Sequence, residues 1–365
     1  MDANTLGLMA AGFLHVFSPM NMGMMILGVT IGIVVGCMPG LSAAMGVALL
    51  LPLTFGMKPE TGLIMLGAIY CGAIFGGSIS AILIHTPGTP ASAATAIDGY
   101  QLTLKGKAGK ALGTACTASF FGGLFSCISL YFFAPALAQL AMKFGSPEYF
   151  WLALFGLTII AGVTSGSMVK GLMSGAFGLV LSTIGMDPME GVERYMFGID
   201  ALYNGINVTC AMIGLFSMSQ VFILIEKAIK ERGNVIDFED SVFLKAKELA
   251  QIFPHVIRSW LIGNIIGILP GAGASIACFL GYDTAKKFSK RKDEFGKGSI
   301  EGVAASEAAN NAVTGGSLIP TLTLGIPGES VTAVLILRGC PGSEWGSVNH
   351  RLPRCWLLLT LLHPL

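Results

Sequence analysis

Between Glu60 and Asp98 the chain runs for 37 residues without a charged side chain. As one helix this run would be about 55 Å long, against a hydrocarbon core of about 30 Å. It contains Gly76-Gly77-Ser78 and then Thr86-Pro87-Gly88-Thr89-Pro90. Both clusters are expected to interrupt a helix. The second must do so, because proline lacks the N–H and clashes with the preceding turn. The run therefore has to enter an apolar medium, break and turn at depth. A second stretch, 304–337, has the same build, with Gly315-Gly316-Ser317 and Pro327-Gly328.

Composition sets the medium. Hydrophobic residues make up 53% of the chain and charged residues only 12%, whereas soluble domains carry roughly 25% charged residues. The 49 glycines are about twice the usual share of ~7%, as close helix contacts in a bilayer require. These values exclude a soluble enzyme and a disordered chain. A net charge of +1 offers no basic surface to nucleic acid. The fold class that follows is an all-α polytopic membrane protein in contact with the lipid bilayer. Candidate spans lie at 22–38, 41–56, 61–97, 111–134, 149–164, 168–186, 199–225, 252–268, 271–283 and 304–337. The charges are unevenly placed. Residues 1–57 hold only Asp2, while 22 of the 43 charged residues fall between Glu226 and Glu301. Val235–Phe253 reads as a solvated cytoplasmic helix. The N-terminus lacks the basic segment of a cleavable signal peptide.

The two interrupted stretches belong to an internal repeat. Gly36-Cys37-Met38-Pro39-Gly40-Leu41-Ser42 matches Gly267-Ile268-Leu269-Pro270-Gly271-Ala272-Gly273 at an offset of 231. Gly76-Gly77-Ser78 matches Gly315-Gly316-Ser317 at 239, and Pro87-Gly88 matches Pro327-Gly328 at 240. Three small motifs in one order point to duplication. Lys105, Lys107 and Lys110 place one loop in the cytoplasm, and so do the Lys/Arg clusters near 230 and 290. Counting spans back from these loops puts Met57–Glu60 and the N-terminus outside. The two copies then point in opposite directions. An inverted structural repeat with two broken or re-entrant segments is the signature of a secondary transporter, and the breaks mark its binding site. A channel or pore-forming membrane subunit is the alternative.

Interrupted helices free backbone N–H and C=O groups, which are tolerated at membrane depth only beside protein or a water-filled cavity. Half-helix N-termini attract carboxylates, and free carbonyls coordinate cations. The candidate substrate- and ion-binding residues are therefore Pro39, Gly40 and Ser42 before one helix, and Pro270 and Gly271 before its counterpart. In the first broken segment they are Gly76, Gly77, Ser78, Ser80, Thr86, Pro87, Gly88 and Thr89. In the second they are Asn310, Asn311, Thr314, Gly315, Gly316, Ser317, Pro327, Gly328 and Glu329, with Glu307 at its entrance. Packing of small residues would also account for the glycines. Asp200, Asn204 and Asn207 share one helix face at i, i+4, i+7. That stripe either faces a cavity or bonds between helices. Arg258 could offset a bound carboxylate or snorkel to the interface. His85 could relay protons or sit neutral in a hydrogen bond.

Enzyme motifs are absent: there is no G-x-S-x-G, no H-E-x-x-H and no G-x-x-x-x-G-K-[ST]. The eight cysteines form no C-x-x-C pair and the five histidines show no ligand spacing, so no metal site, cofactor or disulfide framework is expected.

Several of these runs resemble a known family. Pro39-Gly40-Leu41-Ser42-Ala43-Ala44-Met45-Gly46, Gly76-Gly77-Ser78-Ile79-Ser80-Ala81 and Thr86-Pro87-Gly88-Thr89-Pro90-Ala91-Ser92 are similar to the large membrane subunit of the tripartite tricarboxylate transporters. So are Pro270-Gly271-Ala272-Gly273, Glu307-Ala308-Ala309-Asn310-Asn311-Ala312 and Gly325-Ile326-Pro327-Gly328. The resemblance covers about residues 5–339. It implies uptake of a tricarboxylate or related organic carboxylate across a bacterial inner membrane, coupled to Na⁺ or H⁺. It also implies a small integral-membrane subunit and a periplasmic solute-binding protein as partners. His85 departs from it, standing where the family commonly has Asn. Residues 340–365 also depart from it and read as a truncated or frameshifted tail, so the 365-residue product is expected to transport poorly. The organisation expected is a first membrane repeat at 1–110, connecting spans at 111–225, a cytoplasmic polar segment at 226–250, an inverted second repeat at 251–339, and the tail.

The basic loops generate a first prediction. In a background free of native cysteines, a cysteine replacing Lys58 should label from outside intact cells, and one replacing Lys290 only from inside. The reverse pattern would contradict the opposed orientation of the two copies.

Overall fold

The computed structural model describes residues 14–141, 240–269 and 273–339, with short pieces between 151 and 203. Asp200, Asn204, Asn207, Pro270, Gly271 and residues 340–365 lie outside the described residues. The described helices are α1 (Pro19–Cys37), α2 (Ala43–Thr54), α3 (Pro59–Ile84), α4 (Ala93–Leu104), α5 (Ala108–Ala141), α6 (Ala246–Ile268), α7 (Gly273–Phe288), α8 (Ile300–Leu324) and α9 (Ser330–Gly339). A 3₁₀ turn at Pro90–Ser92 leads into α4. The strands described are a two-residue antiparallel pair, Gly185–Met186 with Glu193–Arg194. This is an all-α architecture, and α1, α3 and the part of α5 over Ala108–Ala134 are long and apolar enough to cross a membrane.

Local chemistry sets the helix boundaries. Pro19 and Pro59 open α1 and α3, where a missing N–H costs nothing. Ser42 and Ser299 cap α2 and α8, accepting hydrogen bonds from the N–H groups of Met45 at 3.2 Å and Gly302 at 3.3 Å. Lys286 and Lys287 end α7, where cations suit the helix dipole. The helices α3 and α8 are buried on nearly every face, and α1 and α6 pack beside them. One core cluster joins α1–α3 to α7–α9 through Leu51, Ile64, Ile69, Val313, Ile319 and Val334. Ile26, Leu27, Val34, Phe132 and Phe133 are exposed on the outer faces, as lipid contact requires.

Glycine stripes permit the close packing. On α1, a Cβ at Gly28 would lie 2.6 Å from Met65 O, and one at Gly32 would lie 2.5 Å from Ile69 O. Gly36 packs as tightly on Ala73 O. The partner numbers rise together in steps of four, so α1 and α3 run parallel with their i±4 ridges in register. On α6, Gly263 meets Ala309 O, and a Cβ at Gly267 would lie 2.9 Å from Ser317 N. Gly263 stands 231 residues after Gly32, and Ala309 stands 240 after Ile69. The same contact therefore occurs at both sequence offsets of the repeat.

Three expectations are corrected. Gly76-Gly77-Ser78 does not interrupt α3, and Gly315-Gly316-Ser317 does not interrupt α8. Two glycines cost a helix about 2 kcal/mol, and here the close contacts they permit offset that cost. The interruptions come later, at His85 (φ 56°) and Gly325 (φ 70°), both left-handed C-caps. The stretch 304–337 is accordingly two helices, α8 and α9. Third, Ala246–Phe253 is not a separate solvated helix. It forms the first turns of α6, which continues through Pro254 to Ile268.

After each interruption the chain doubles back. Gly88 N–H donates to Gly77 O at 3.2 Å, and a Cβ on Gly328 would lie 2.6 Å from Ser317 Cα. Both returns span eleven residues. Helix α4 then runs alongside α3 in the same direction, with Thr89 at Gly77 and Thr103 at Ile82. Against α8 it runs the opposite way: Thr95 meets Glu307, while Asp98 accepts from the N–H groups of Gly298 at 2.8 Å and Ser299 at 2.9 Å. It follows that α3 and α8 are antiparallel.

The stripes generate a prediction. Gly32→Val and Gly263→Val place a branched side chain against backbone carbonyls that cannot move aside, and should cost about 1–3 kcal/mol or more. Gly23, with open space around its Cβ position, should accept alanine. Thermal unfolding in detergent checks both; equal effects at all three positions would contradict the packing.

Candidate functional site

Four helix starts meet around one open cleft of about 740 Å³. Ser42, Ala43 and Ala44 bring the start of α2, and Gly273, Ala274 and Ser275 that of α7. Thr89, Pro90 and Ala91 bring the 3₁₀ turn before α4, while Glu329, Ser330 and Val331 bring the start of α9. Ile74, Ile276, Phe279 and Leu280 complete the wall. Each helix start offers N–H groups without an intrahelical partner and the positive end of a dipole. Among the described residues, no Lys, Arg or His lines the cleft. Whatever positive character it has comes from the backbone.

The cleft forms where the two doubled-back segments and the Pro39-Gly40 turn converge with the start of α7. Gly40 (φ 93°) and Gly273 (φ 67°) take the left-handed turns that lead into α2 and α7. Gly88 passes close over Gly36 O, and Gly328 passes Gly267 O, where a Cβ would lie at 2.7 Å. Only glycine permits these crossings. Thr89 and Glu329, 240 residues apart, take equivalent places at the ends of the crossings.

Those two side chains are the chemical centre. Thr89 is 2% exposed and its Oγ1, on the cleft wall, has no hydrogen-bond partner. Glu329 Oε2 accepts from Ala274 N–H at 3.2 Å, so its carboxylate sits on the first turn of α7. Its Oε1 accepts from the Tyr70 hydroxyl, which also lies 3.2 Å from Ser317 Oγ. An acid of the protein itself thus already demonstrates how a carboxylate binds at this cleft: on a helix N-terminus, with a hydroxyl donor.

Of the residues singled out in the sequence, Ser42, Thr89 and Glu329 reach the cleft, and Pro39, Gly40, Pro87, Gly88, Pro327 and Gly328 shape the turns beside it. Gly76 packs on Ile33 and Gly77 on Thr89. Gly315 N–H donates to Ser126 Oγ at 3.1 Å, and Gly316 packs on Asn264. Ser78, Ser80 and Thr314 are buried and donate to carbonyls of their own helices, and half-buried Thr86 donates to Ile84 O. Asn310 and Asn311 lie apart from the cleft, at a buried Glu307. His85 stacks on Tyr100 with ring centroids 4.6 Å apart, and Arg258 lies over the Phe288 ring at 5.2 Å; neither lines the cleft. Sequence reasoning missed Tyr70. Its signal was a hydroxyl-bearing aromatic inside an otherwise apolar run.

The model of the TctA family of tripartite tricarboxylate transporters matches residues 22–340. The chain belongs to this family. A 52.8 kDa Agrobacterium vitis protein from the TAR-I ttuC' 3' region is 43% identical over 329 residues, covering 90% of this chain and 65% of its own length. A second A. vitis protein, from the TAR-II ttuC' 3' region, is 50% identical over 74 residues, covering 20% of this chain and 31% of its own length. The chain thus spans about two thirds or less of the length of these relatives. No solved structure matches. Membership identifies a transporter-family membrane protein.

Bulk at the conserved-geometry glycines should disable the cleft. In Gly77→Val the side chain meets Thr89 and pushes the 3₁₀ turn outward, while in Gly316→Val it meets Asn264 O, 2.7 Å from the Cβ position. Both should lose uptake in a reconstituted assembly, and Gly316→Val should also lower the unfolding temperature, because it forces α6 from α8. Uptake at wild-type affinity by both variants would disconnect the crossings from transport.

Proposed function

We propose that this chain is the large membrane subunit of a binding-protein-dependent system that takes up a tricarboxylate or related organic carboxylate across the bacterial inner membrane by cation-coupled secondary transport. The observation that carries the reading is the convergence of the starts of α2, α7 and α9, with the 3₁₀ turn at Pro90, on one cleft whose described lining has no basic side chain. A polyanion with carboxylates a few ångströms apart can place one at each of several helix starts, and the open cleft leaves the charge partly exposed to solvent.

The inverted repeat is part of this proposal. It is supported by the shared 231 and 240 offsets of the Gly32–Ile69 and Gly263–Ala309 contacts, and by the antiparallel course of α3 and α8. Two opposed halves around one cleft allow it to open alternately to each side. The N-terminus is periplasmic in this arrangement, and a small integral-membrane subunit and a periplasmic solute-binding protein complete the system. Membership in the TctA family supports those partners in general terms.

The test is binding of citrate, as the simplest tricarboxylate, to the purified chain in nanodiscs, followed by uptake in proteoliposomes with the two partners. Saturable binding and uptake are expected. Thr89→Val should weaken binding by about 10- to 100-fold, the range for losing one hydrogen bond to a charged group, with the unfolding temperature unchanged. Non-saturating flux independent of any cation gradient would instead mark a channel.

A further inference from the structure

Ten residues before Ser317, about 15 Å back along α8, lies a second polar centre that the cleft does not include. Glu307 is fully buried. Thr95 Oγ1 on α4 donates to its Oε1 at 2.5 Å, and Ser119 Oγ on α5 donates to its Oε2 at 3.0 Å. Asn311 Nδ2 donates to Ser119 Oγ at 2.8 Å and reaches Glu307 Oε2 at 3.4 Å. Every group that reaches the carboxylate donates to it, which suits the ionised form. Among the described residues, no Lys, Arg or His pairs with it. A buried carboxylate with no counter-charge costs several kcal/mol in a protein interior.

The neighbouring amides are equally incomplete. Asn310 is fully buried beside the Glu307 carboxylate, yet neither Oδ1 nor Nδ2 reaches a partner at hydrogen-bonding geometry. Asn311 Oδ1 is also unpaired. Two orphaned amide oxygens therefore stand three and four residues along α8 from a buried carboxylate that the hydroxyls of Thr95 and Ser119 already reach, with Ser306 Oγ 2.9 Å from Thr95 Oγ1. Oxygen-only donor sets select hard cations. One carboxylate balances one positive charge. Among the described residues, no three His, Cys, Asp or Glu side chains gather anywhere, which disfavours a divalent or transition-metal site. A proton on Glu307 would cancel the charge but leave both amide oxygens orphaned, whereas a hard cation beside the carboxylate would balance its charge and offer the amide oxygens a partner.

We infer that Glu307, Asn310 and Asn311, with Thr95 and Ser119, form a Na⁺ site. The site itself stands on this geometry, while its role as the coupling site rests on the transport reading. The link between the two centres is α4 with its preceding 3₁₀ turn. Thr89 at one end lines the cleft, and Thr95, six residues on, holds Glu307. Drawing Thr95 toward a bound cation moves the same element that presents Thr89 to the cargo.

The experiment measures radioactive Na⁺ binding to the purified full chain in nanodiscs, with K⁺ and choline as competitors, and separately with citrate added. Saturable Na⁺ binding is expected, displaced by neither competitor. Glu307→Gln should weaken it by about 10- to 100-fold, as loss of a charged contact does. Should Glu307→Gln fail to fold, Asn310→Ala carries the test, because Asn310 makes no hydrogen bond to lose; it should weaken Na⁺ binding by about tenfold. No Na⁺ binding, or binding unaffected by the folded variants, would overturn the site. So would protection against unfolding by low pH in place of Na⁺, abolished in Glu307→Gln, since that marks a proton site. Citrate binding without Na⁺ binding overturns the cation site alone. Na⁺ binding without citrate binding or uptake supports the site and removes the transport reading.

Discussion

A backbone amide inside a bilayer must find a partner, and an interrupted helix leaves several without one. This structure has four such helix starts around one cleft. Their tolerance depends on how closely the surrounding backbone can approach. Gly36 and Gly88 touch, as do Gly267 and Gly328. A methyl group at any of these positions would separate the crossing segments and expose their N–H groups to lipid. The glycine stripes are therefore the condition for having interrupted helices at all. The rest follows from them: α1 is held on α3, α6 is held on α8, and the chain after each long helix can double back by eleven residues within the protein.

Close approach also fixes the polar chemistry. Packing at this density admits small side chains only, so the groups near the cleft and near Glu307 are hydroxyls, amides and backbone. Asp98, fully buried, shows how such a structure handles a lone carboxylate when it is structural. It accepts from Tyr282 Oη at 2.8 Å and from two successive N–H groups where α8 begins. Those donors bring the positive end of the α8 dipole as counter-charge. Glu307 has no helix terminus and no such complement of backbone donors. Glu329 has one backbone donor and a tyrosine. The three acids thus differ in the kind of donor: Asp98 takes two of its three from the backbone at a helix start, Glu329 takes one from the backbone and one from a tyrosine, and Glu307 is held by side chains alone.

Much of this was legible in the sequence, for identifiable reasons. The 37-residue uncharged run is too long for one span and carries two prolines, ten and thirteen residues past Gly77, so an interruption near Thr86–Pro90 was forced by sterics alone. The paired motifs were legible because the crossings at Gly88 and Gly328 admit only glycine, which puts one Pro-Gly at each crossing. What misled was the Gly76-Gly77-Ser78 cluster. Weak helix propensity reads as a break, but propensity is a small term, and the contacts of Gly77 with Thr89 and of Gly316 with Asn264 come from segments far along the chain. Similarly, nothing local distinguishes Thr95 or Ser119 from the many other hydroxyls in apolar helices. Only the antiparallel pairing of α4 with α8, and the placement of α5 beside α8, brings them to one carboxylate.

That pairing also explains why α4 is short and begins with a 3₁₀ turn. Pro87 and Pro90 prevent a continuous helix, so the segment from His85 to Ser92 is held by contacts and not by an internal hydrogen-bond ladder. Between His85 and Ser92 the bond to another element is that of Gly88 to Gly77, while α4 beyond it is fixed by Thr95 on Glu307, by Asp98 on Tyr282, Gly298 and Ser299, and by Thr103 on Ile82 O at 2.7 Å. A segment held this way shifts at lower cost than a central helix such as α3, which is buried on nearly every face. In the transport proposed above, motion is confined to elements of this kind, because the glycine-packed pairs α1–α3 and α6–α8 cannot slide without carbonyl clashes. The packed pairs would then move as two bodies, with the short segments that start at the cleft as the joint between them.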